Sequence, residues 1–197
     1  MNNISFTSII RPVTAKEFRT AISSIPKTNS VNYPWTTRQS VIAPDAFTTG
    51  IYDCTAAVIS NGQNAIMLHL CPTNPKNFDL DNIICFIKKQ IQTNLSKSKT
   101  IDFDTTDIQA IIVGSTKEKR SQDLYNRLLN FFHEFNIPTS EIKTSSKETD
   151  IAYKSSTDEF FIRNQKMDAK LINSNNHQDI LNNCYEKIII SECDKIE

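Results

Sequence analysis

The stretch from Phe47 to Leu70, FTTGIYDCTAAVISNGQNAIMLHL, limits the possible folds of this chain more than any other. Val58 and Ile59 on one arm, with Ile66, Met67, Leu68 and Leu70 on the other, form near-continuous apolar runs around Asn61-Gly62. Such runs suit strands covered on both faces. Asn-Gly is a strong turn signal because both residues tolerate positive φ, and the connection is read as longer than two residues. A hairpin apolar on both faces requires a layer of structure above it and another below. Cys54 opens its first strand and His69 lies near the end of the second. Counted outward from the turn they stand at similar height, and strand parity allows them to share one face.

The remaining elements supply those layers. Ile9-Ile10 before Pro12 reads as a short strand. Thr14-Ala-Lys-Glu17 is a capping-box pattern that starts a helix to about Ser24, with Phe18, Ala21 and Ile25 on one side. Residues 26–36 read as a loop plugged by Trp35, and Arg38 to Ala43 as a strand ending at Pro44. Beyond the hairpin, Asp79 or Asp81 can cap a helix to about Leu95 with an Ile-rich stripe, and 96–106 read as a polar loop. Ile108 to Val113 is a strand ending at Gly114. Ser121 is read as the cap of a helix to about Phe135, with a short strand, Glu141 to Lys143, after Pro138; this is an α/β unit. Asp150–Tyr153 and Glu159–Arg163 are two further strands joined by a Ser-Ser-Thr-Asp turn. In the tail, a polar stretch leads to a helix and a strand from Lys187 to Ile190.

Charge and cysteine usage exclude some functions. The 22 Lys and Arg balance the 22 Asp and Glu, so the basic footprint of a general nucleic-acid binder is missing, and an anionic membrane has nothing to attract. No window approaches a transmembrane span. The N-terminus, MNNISFTSIIRPV, reads as a poor Sec signal. The expectation is a soluble protein, cytoplasmic or secreted by a non-Sec route into a host cytosol. The five cysteines, 54, 71, 85, 184 and 193, form no CxxC pair, which suggests neither a disulfide framework nor a zinc ribbon.

The hairpin carries the candidate chemistry. A thiol nucleophile needs its proton removed, which a nearby imidazole does. A third group fixes the imidazole's tautomer, and amide donors from a preceding turn stabilise the oxyanion. Cys54, His69 and Thr48 fill the first three roles, with Thr48 placed in the turn and free to bend back. Gly50 and Asp53 are the turn and oxyanion candidates. Spacing alone leaves open a second reading, in which Cys54 is a small buried apolar residue and His69 a satisfied histidine. Cys71, two residues after His69, would share its face, but a Cys54-His69-Cys71 metal site lacks a fourth ligand; neither metal nor cofactor is expected. His133 is placed at the surface or core edge of a helix, His177 in the polar tail, and Lys117-Glu-Lys-Arg120 in a solvated loop.

The segment Thr48-Thr-Gly50-Ile-Tyr-Asp-Cys54 resembles the turn of the CheD family of chemoreceptor glutamine deamidases, with a Thr, a Gly two residues on, and the Cys at the same offset. An apolar strand, a turn, and a strand bearing His69 follow in the same order. Ile111-Ile-Val-Gly114-Ser115 and Asp123 to Pro138 resemble the family's later strand, small-residue turn and helix. The likeness spans roughly 45–165 and extends to the wider group that includes the cytotoxic necrotizing factor toxins. It implies an α+β fold, a layered sandwich with a central mixed β-sheet core flanked by helices. It also implies a division into an N-terminal arm with a short helix (1–44), a deamidase core (45–165) and a C-terminal extension packing on the core (166–197). The arm and the extension enlarge the family core, as they would in a secreted bacterial effector.

The resemblance further implies that Cys54 is the nucleophile, His69 the base and Thr48 the orienting hydroxyl, acting on a protein substrate with an exposed glutamine. Tyr52-Asp53 stands where the family has Gly-Ser, Leu68 and Leu70 flank His69 in place of Gly and Phe, and one glycine, Gly114, remains of a later cluster. An Asp53 carboxylate turned inward raises the thiol's pKa. A catalytically inactive binding module of the same fold, or another cysteine hydrolase, are the alternatives.

Overall fold

The computed structural model describes residues 7–31, 39–72, 108–115, 118–144 and 148–164, the backbone of 187–191, and isolated helical positions 84, 85 and 88. The loop around Trp35, most of the helix expected between 79 and 95, the loop at 96–106, and the polar stretch with His177 and the helix expected after it lie outside the described residues.

Two mixed sheets stack face to face. The smaller has strand order β1 (Ile9–Pro12), β9 (Glu159–Asn164), β8 (Thr149–Lys154), β3 (Asp45–Ile51). The larger runs β10 (Lys187–Ser191), β7 (Thr139–Thr144), β6 (Gln109–Ser115), β4 (Thr55–Ser60), β5 (Ala65–Leu70), β2 (Ser40–Ala43). Helix α1 (Ala15–Ile22) covers the outer face of the small sheet, where Phe18, Val13 and Ile25 pack with Ala152. Helix α2 (Lys119–Glu134) covers the outer face of the large one through Leu124, Leu128, Phe131 and Phe132. The layers are therefore helix, sheet, sheet, helix, an α+β sandwich as the sequence implied.

Alternation along the strands builds both cores. Ala56, Val58 and Met67 of the hairpin face the small sheet and meet Ala46, Ile151, Tyr153 and Phe160. Ala57, Ile59, Ile66 and Leu68 face α2. Every residue of β4 and β5 is buried, which explains the unbroken apolar runs. The hairpin closes tightly: Asn61 N–H donates to Asn64 O at 3.1 Å, and Gly62, at φ 80°, turns the tip. The α/β unit is present as β6–α2–β7, with the two strands parallel.

Three local expectations change. Residues 45–51 form a strand where the local sequence suggests a turn. Ala46 and Thr48 point inward, Phe47 packs outward, and the strand pairs with β8 from Asp45↔Lys154 to Thr48↔Ile151. The Gly50 signal marks a bulge, at φ 73°, where the register to β8 shifts; the bulge bends the chain from the small sheet toward β4 of the large one. Helix α2 begins earlier than Ser121: its N-cap is Glu118, and Lys119 and Arg120 form its exposed first turn. Segments before residue 45 also pair in both sheets, β1 with β9 and β2 with β5.

Candidate functional site: a threonine, a histidine and two cysteines between the sheets

Register fixes the relative positions. Ala56 pairs with His69, and Thr55 with Leu70. One step further sets Cys54 opposite Cys71. Residues 54, 56, 69 and 71 therefore share the inner face of the large sheet, with Cys54 and His69 as diagonal cross-strand neighbours. Thr48 faces them from the small sheet. Thr48 and His69 are both fully buried.

Thr48 Oγ1 lies 2.7 Å from His69 Nδ1 and also donates to the carbonyl of Val31. A hydroxyl has one proton. With that proton on Val31 O, Oγ1 accepts from Nδ1–H, and the tautomer follows: Nδ1 is protonated and Nε2 carries the basic lone pair. Nε2 is buried without a hydrogen-bond partner among the described residues. Val31 is held in place by its own N–H, which donates to Phe47 O at 3.0 Å. Burial lowers the His69 pKa to about 4, with the Val31 carbonyl opposing the shift. The ring is neutral at pH 7.

Cys54 is partly buried and packs against the inter-sheet core. Its thiol is hydrogen-bonded to that of Cys71 and is pushed up to about 12, first by burial, then by Cys71, and last by the Asp53 carboxylate. At neutral pH the site is thus a neutral thiol and a neutral imidazole on one face of the sheet, with no hydrogen bond between them among the described residues. Asp53 is half-buried, and its carbonyl accepts from Ser121 Oγ at 2.8 Å, which ties the approach to Cys54 to the first turn of α2. The Gly50 N–H donates to Asp150 Oδ1 at 2.9 Å. It is committed to that carboxylate, so the oxyanion role considered for it falls away and its conformational role in the bulge remains. Asp150 also accepts from Arg163 Nη1 at 2.9 Å; burial raises its pKa while the Gly50 amide and Arg163 oppose the rise.

On the α2 side of the large sheet, Pro72 and the α2 residues Arg120, Asp123, Leu124 and Arg127 line a cleft of about 250 Å³, and Tyr52 is exposed next to Asp53. The described residues contain no cluster of three or more His, Cys, Asp or Glu able to hold a metal ion, and no helix among them is long and apolar enough to cross a membrane. His133 is exposed on α2.

Sequence reasoning did not find Val31, Asp150 or the pairing of Cys54 with Cys71. Val31 acts through its carbonyl, which no side chain advertises, and Asp150 reaches Gly50 across one hundred residues. The cysteine pair was legible in principle, since counting outward from Asn61-Gly62 sets 54 against 71. The site defines a class: a layered α+β sandwich with a thiol and an oriented imidazole between its sheets. Neither protein-family models nor curated proteins match the chain.

Proposed function

We propose that this chain is a cysteine-dependent protein-glutamine deamidase, similar in its chemistry to the CheD deamidases. The observation that carries the reading is the histidine. Thr48 holds Nδ1–H, and a partnerless basic Nε2 is left on the face it shares with Cys54. A neutral imidazole oriented from its far nitrogen, on the same face as a thiol, is the pairing that nucleophilic catalysis by cysteine needs.

Nε2 takes the Cys54 proton as the substrate arrives. The thiolate attacks the side-chain carbonyl of a glutamine on a protein substrate. His69 returns the proton to ammonia as it leaves, and a thioester forms. Water, deprotonated by the same nitrogen, then releases glutamate. A primary amine in place of water would give transamidation. With Cys54 and His69 neutral at rest, proton transfer belongs to the reaction and not to the free protein. Action on a host protein, as by an effector exported through a non-Sec route, fits the same reading.

A second reading is favoured by one observation: the Cys54 thiol bonds to Cys71 and is held far up its pKa scale. On that reading the fold is a protein-binding module that does not use the chemistry. One experiment separates the two. A broad proteome is incubated with the wild type or with Cys54→Ala, and glutamine deamidation is mapped as a gain of about one dalton per site, the exchange of NH2 for OH in acyl transfer to water. Deamidation that depends on Cys54 supports the enzyme. Identical maps from the two proteins leave the binding module in its place.

A further inference from the structure

We propose that Cys54 and Cys71 are a built-in site of reversible disulfide formation, closed by a hydroperoxide. The inference rests on strand register and thiol contact, and it stands whether or not the chain is a deamidase.

In an antiparallel pair, residues that exchange backbone hydrogen bonds alternate with residues that do not. His69 N–H donates to Gln39 O of the neighbouring edge at 2.9 Å, so it points away from β4. The pair His69↔Ala56 is therefore of the non-bonded kind, and the same phase carried one step past the last paired residues, Thr55↔Leu70, sets Cys71 and Cys54 opposite each other as a pair of that kind. The Asn61–Asn64 bond at the hairpin tip agrees with this phase. Non-bonded pairs bring Cα atoms to about 4.5 Å with side chains closest, inside the range of about 4.4–6.8 Å that disulfides bridge. The two thiols already touch through a hydrogen bond. Access differs between them. Cys54 is partly buried and Cys71 only 8% exposed, so a small oxidant meets Cys54 first with Cys71 behind it as the resolving thiol.

The Cys54 sulfur attacks one peroxide oxygen. The O–O bond breaks, the thiol proton leaves with the departing oxygen as water or alcohol, and Cys54 becomes a sulfenic acid. The Cys71 sulfur then attacks the Cys54 sulfur. The S–O bond breaks, water leaves with the Cys71 proton, and the S–S bond forms. The two thiols together lose two electrons and the peroxide gains two. The raised pKa of Cys54 keeps its thiolate scarce at neutral pH, so the first step is slow there and quickens as pH rises, because the thiolate is the reacting species. The cross-link removes the sulfur from any nucleophilic role and is undone by a thiol reductant.

The test uses the full chain and hydrogen peroxide at pH 8, followed by denaturation, iodoacetamide and trypsin without reductant. Cys54 and Cys71 fall in one tryptic peptide, between Arg38 and Lys76. The expected product is that peptide unalkylated at both positions and about two daltons lighter than its dithiol form, the mass of the two hydrogens lost in disulfide formation. Dithiothreitol should restore two alkylation sites. In Cys71→Ser, Cys54 should stop at a sulfenic acid that a cyclic diketone traps. Exposed Cys85 serves as an internal clock. If both 54 and 71 remain alkylatable after Cys85 is fully oxidised, or if Cys54 pairs elsewhere, the proposal is overturned. The wild-type map decides even if Cys71→Ser fails to fold. No substrate is involved, so failure here and failure of the deamidase reading are separate results.

Discussion

Thr48 has one hydroxyl proton, and the Val31 carbonyl takes it; everything proposed for His69 depends on that arrangement. Thr48→Val keeps the shape but leaves Nδ1–H and the Val31 carbonyl without the hydroxyl between them. Each buried polar group left unsatisfied costs about 1–3 kcal/mol. Thr48→Val should therefore lower unfolding stability by about 2 kcal/mol in urea titration and abolish Cys54-dependent deamidation, while Thr48→Ser restores most of both. Val becoming as active as Ser would remove Thr48 from the orienting role. The same ring makes a pH prediction. Its pKa falls from 6.5 unfolded to about 4 folded, so between those values the unfolded chain binds a proton that the folded chain refuses. The contribution is fully present above pH 6.5 and is lost as pH falls toward 4, by about 3 kcal/mol at most. Wild type should lose more stability than His69→Gln between pH 7 and pH 4.5, and equal losses would contradict the buried neutral ring.

Gly114 shows how one residue sets the seat of an element. A Cβ there would lie 2.6 Å from Tyr125 Cδ2 and 3.1 Å from Thr55 Oγ1. The Tyr125 ring cannot retreat easily, since its hydroxyl donates to buried Glu141 at 3.1 Å. Gly114→Ala should push α2 outward and cost about 1–3 kcal/mol, the usual price of overpacking. It should also disturb the Ser121–Asp53 bond beside Cys54, and a shifted Asp53 or Ser121 amide resonance in the variant's NMR spectrum would report it. An unchanged melting temperature would mean that the helix has slack at this point. Element by element, what could be read from the sequence was what local pattern determines. The hairpin, the Thr14 capping box and the β6–α2–β7 unit announce themselves through apolar runs, a cap and a glycine. Residues 45–51 did not, because Thr48-Thr-Gly50 looks like a turn until β8 arrives to pair with it. The cap of α2 was misplaced for a related reason. Ser121 is a good cap by type, but its hydroxyl is engaged with the Asp53 carbonyl in the bend between β3 and β4. The sequence singles out Cys54, His69 and Thr48, yet only the sandwich brings Thr48 to the ring.

At the scale of the whole molecule, the two sheets are pinned by polar groups at opposite ends of their interface. One pin is Thr48 to His69, beside Cys54. The other lies at the far end, where Gln109 pairs with Ser60 near the hairpin tip. Gln109 Oε1 accepts from the N–H groups of Thr7 at 2.8 Å and Ser8 at 3.1 Å, and its Nε2 donates to Ser8 Oγ. Ser8 Oγ and Tyr153 Oη in turn donate to Asp158 Oδ1 at 2.7 and 2.9 Å. The network joins β6 of the large sheet to β1 and to the β8–β9 turn of the small one. Gln109→Ala strands the buried Ser8 donor and leaves that of exposed Thr7 to water, and should cost about 1–3 kcal/mol, with faster amide exchange at Thr7 and Ser8. The apolar layer between the pins is close-packed and continuous, so the question is whether strain passes through it. The pins share no partner, and mutations at separated sites without common partners add to within about 0.5 kcal/mol. The double variant Thr48→Val with Gln109→Ala should therefore lose the sum of the single losses, and Gln109→Ala alone should leave the His69 pH dependence unchanged. A coupling well above that margin would mean that the sheets shift as rigid bodies, and that the far staple helps to set the distance between Thr48 and the imidazole it orients.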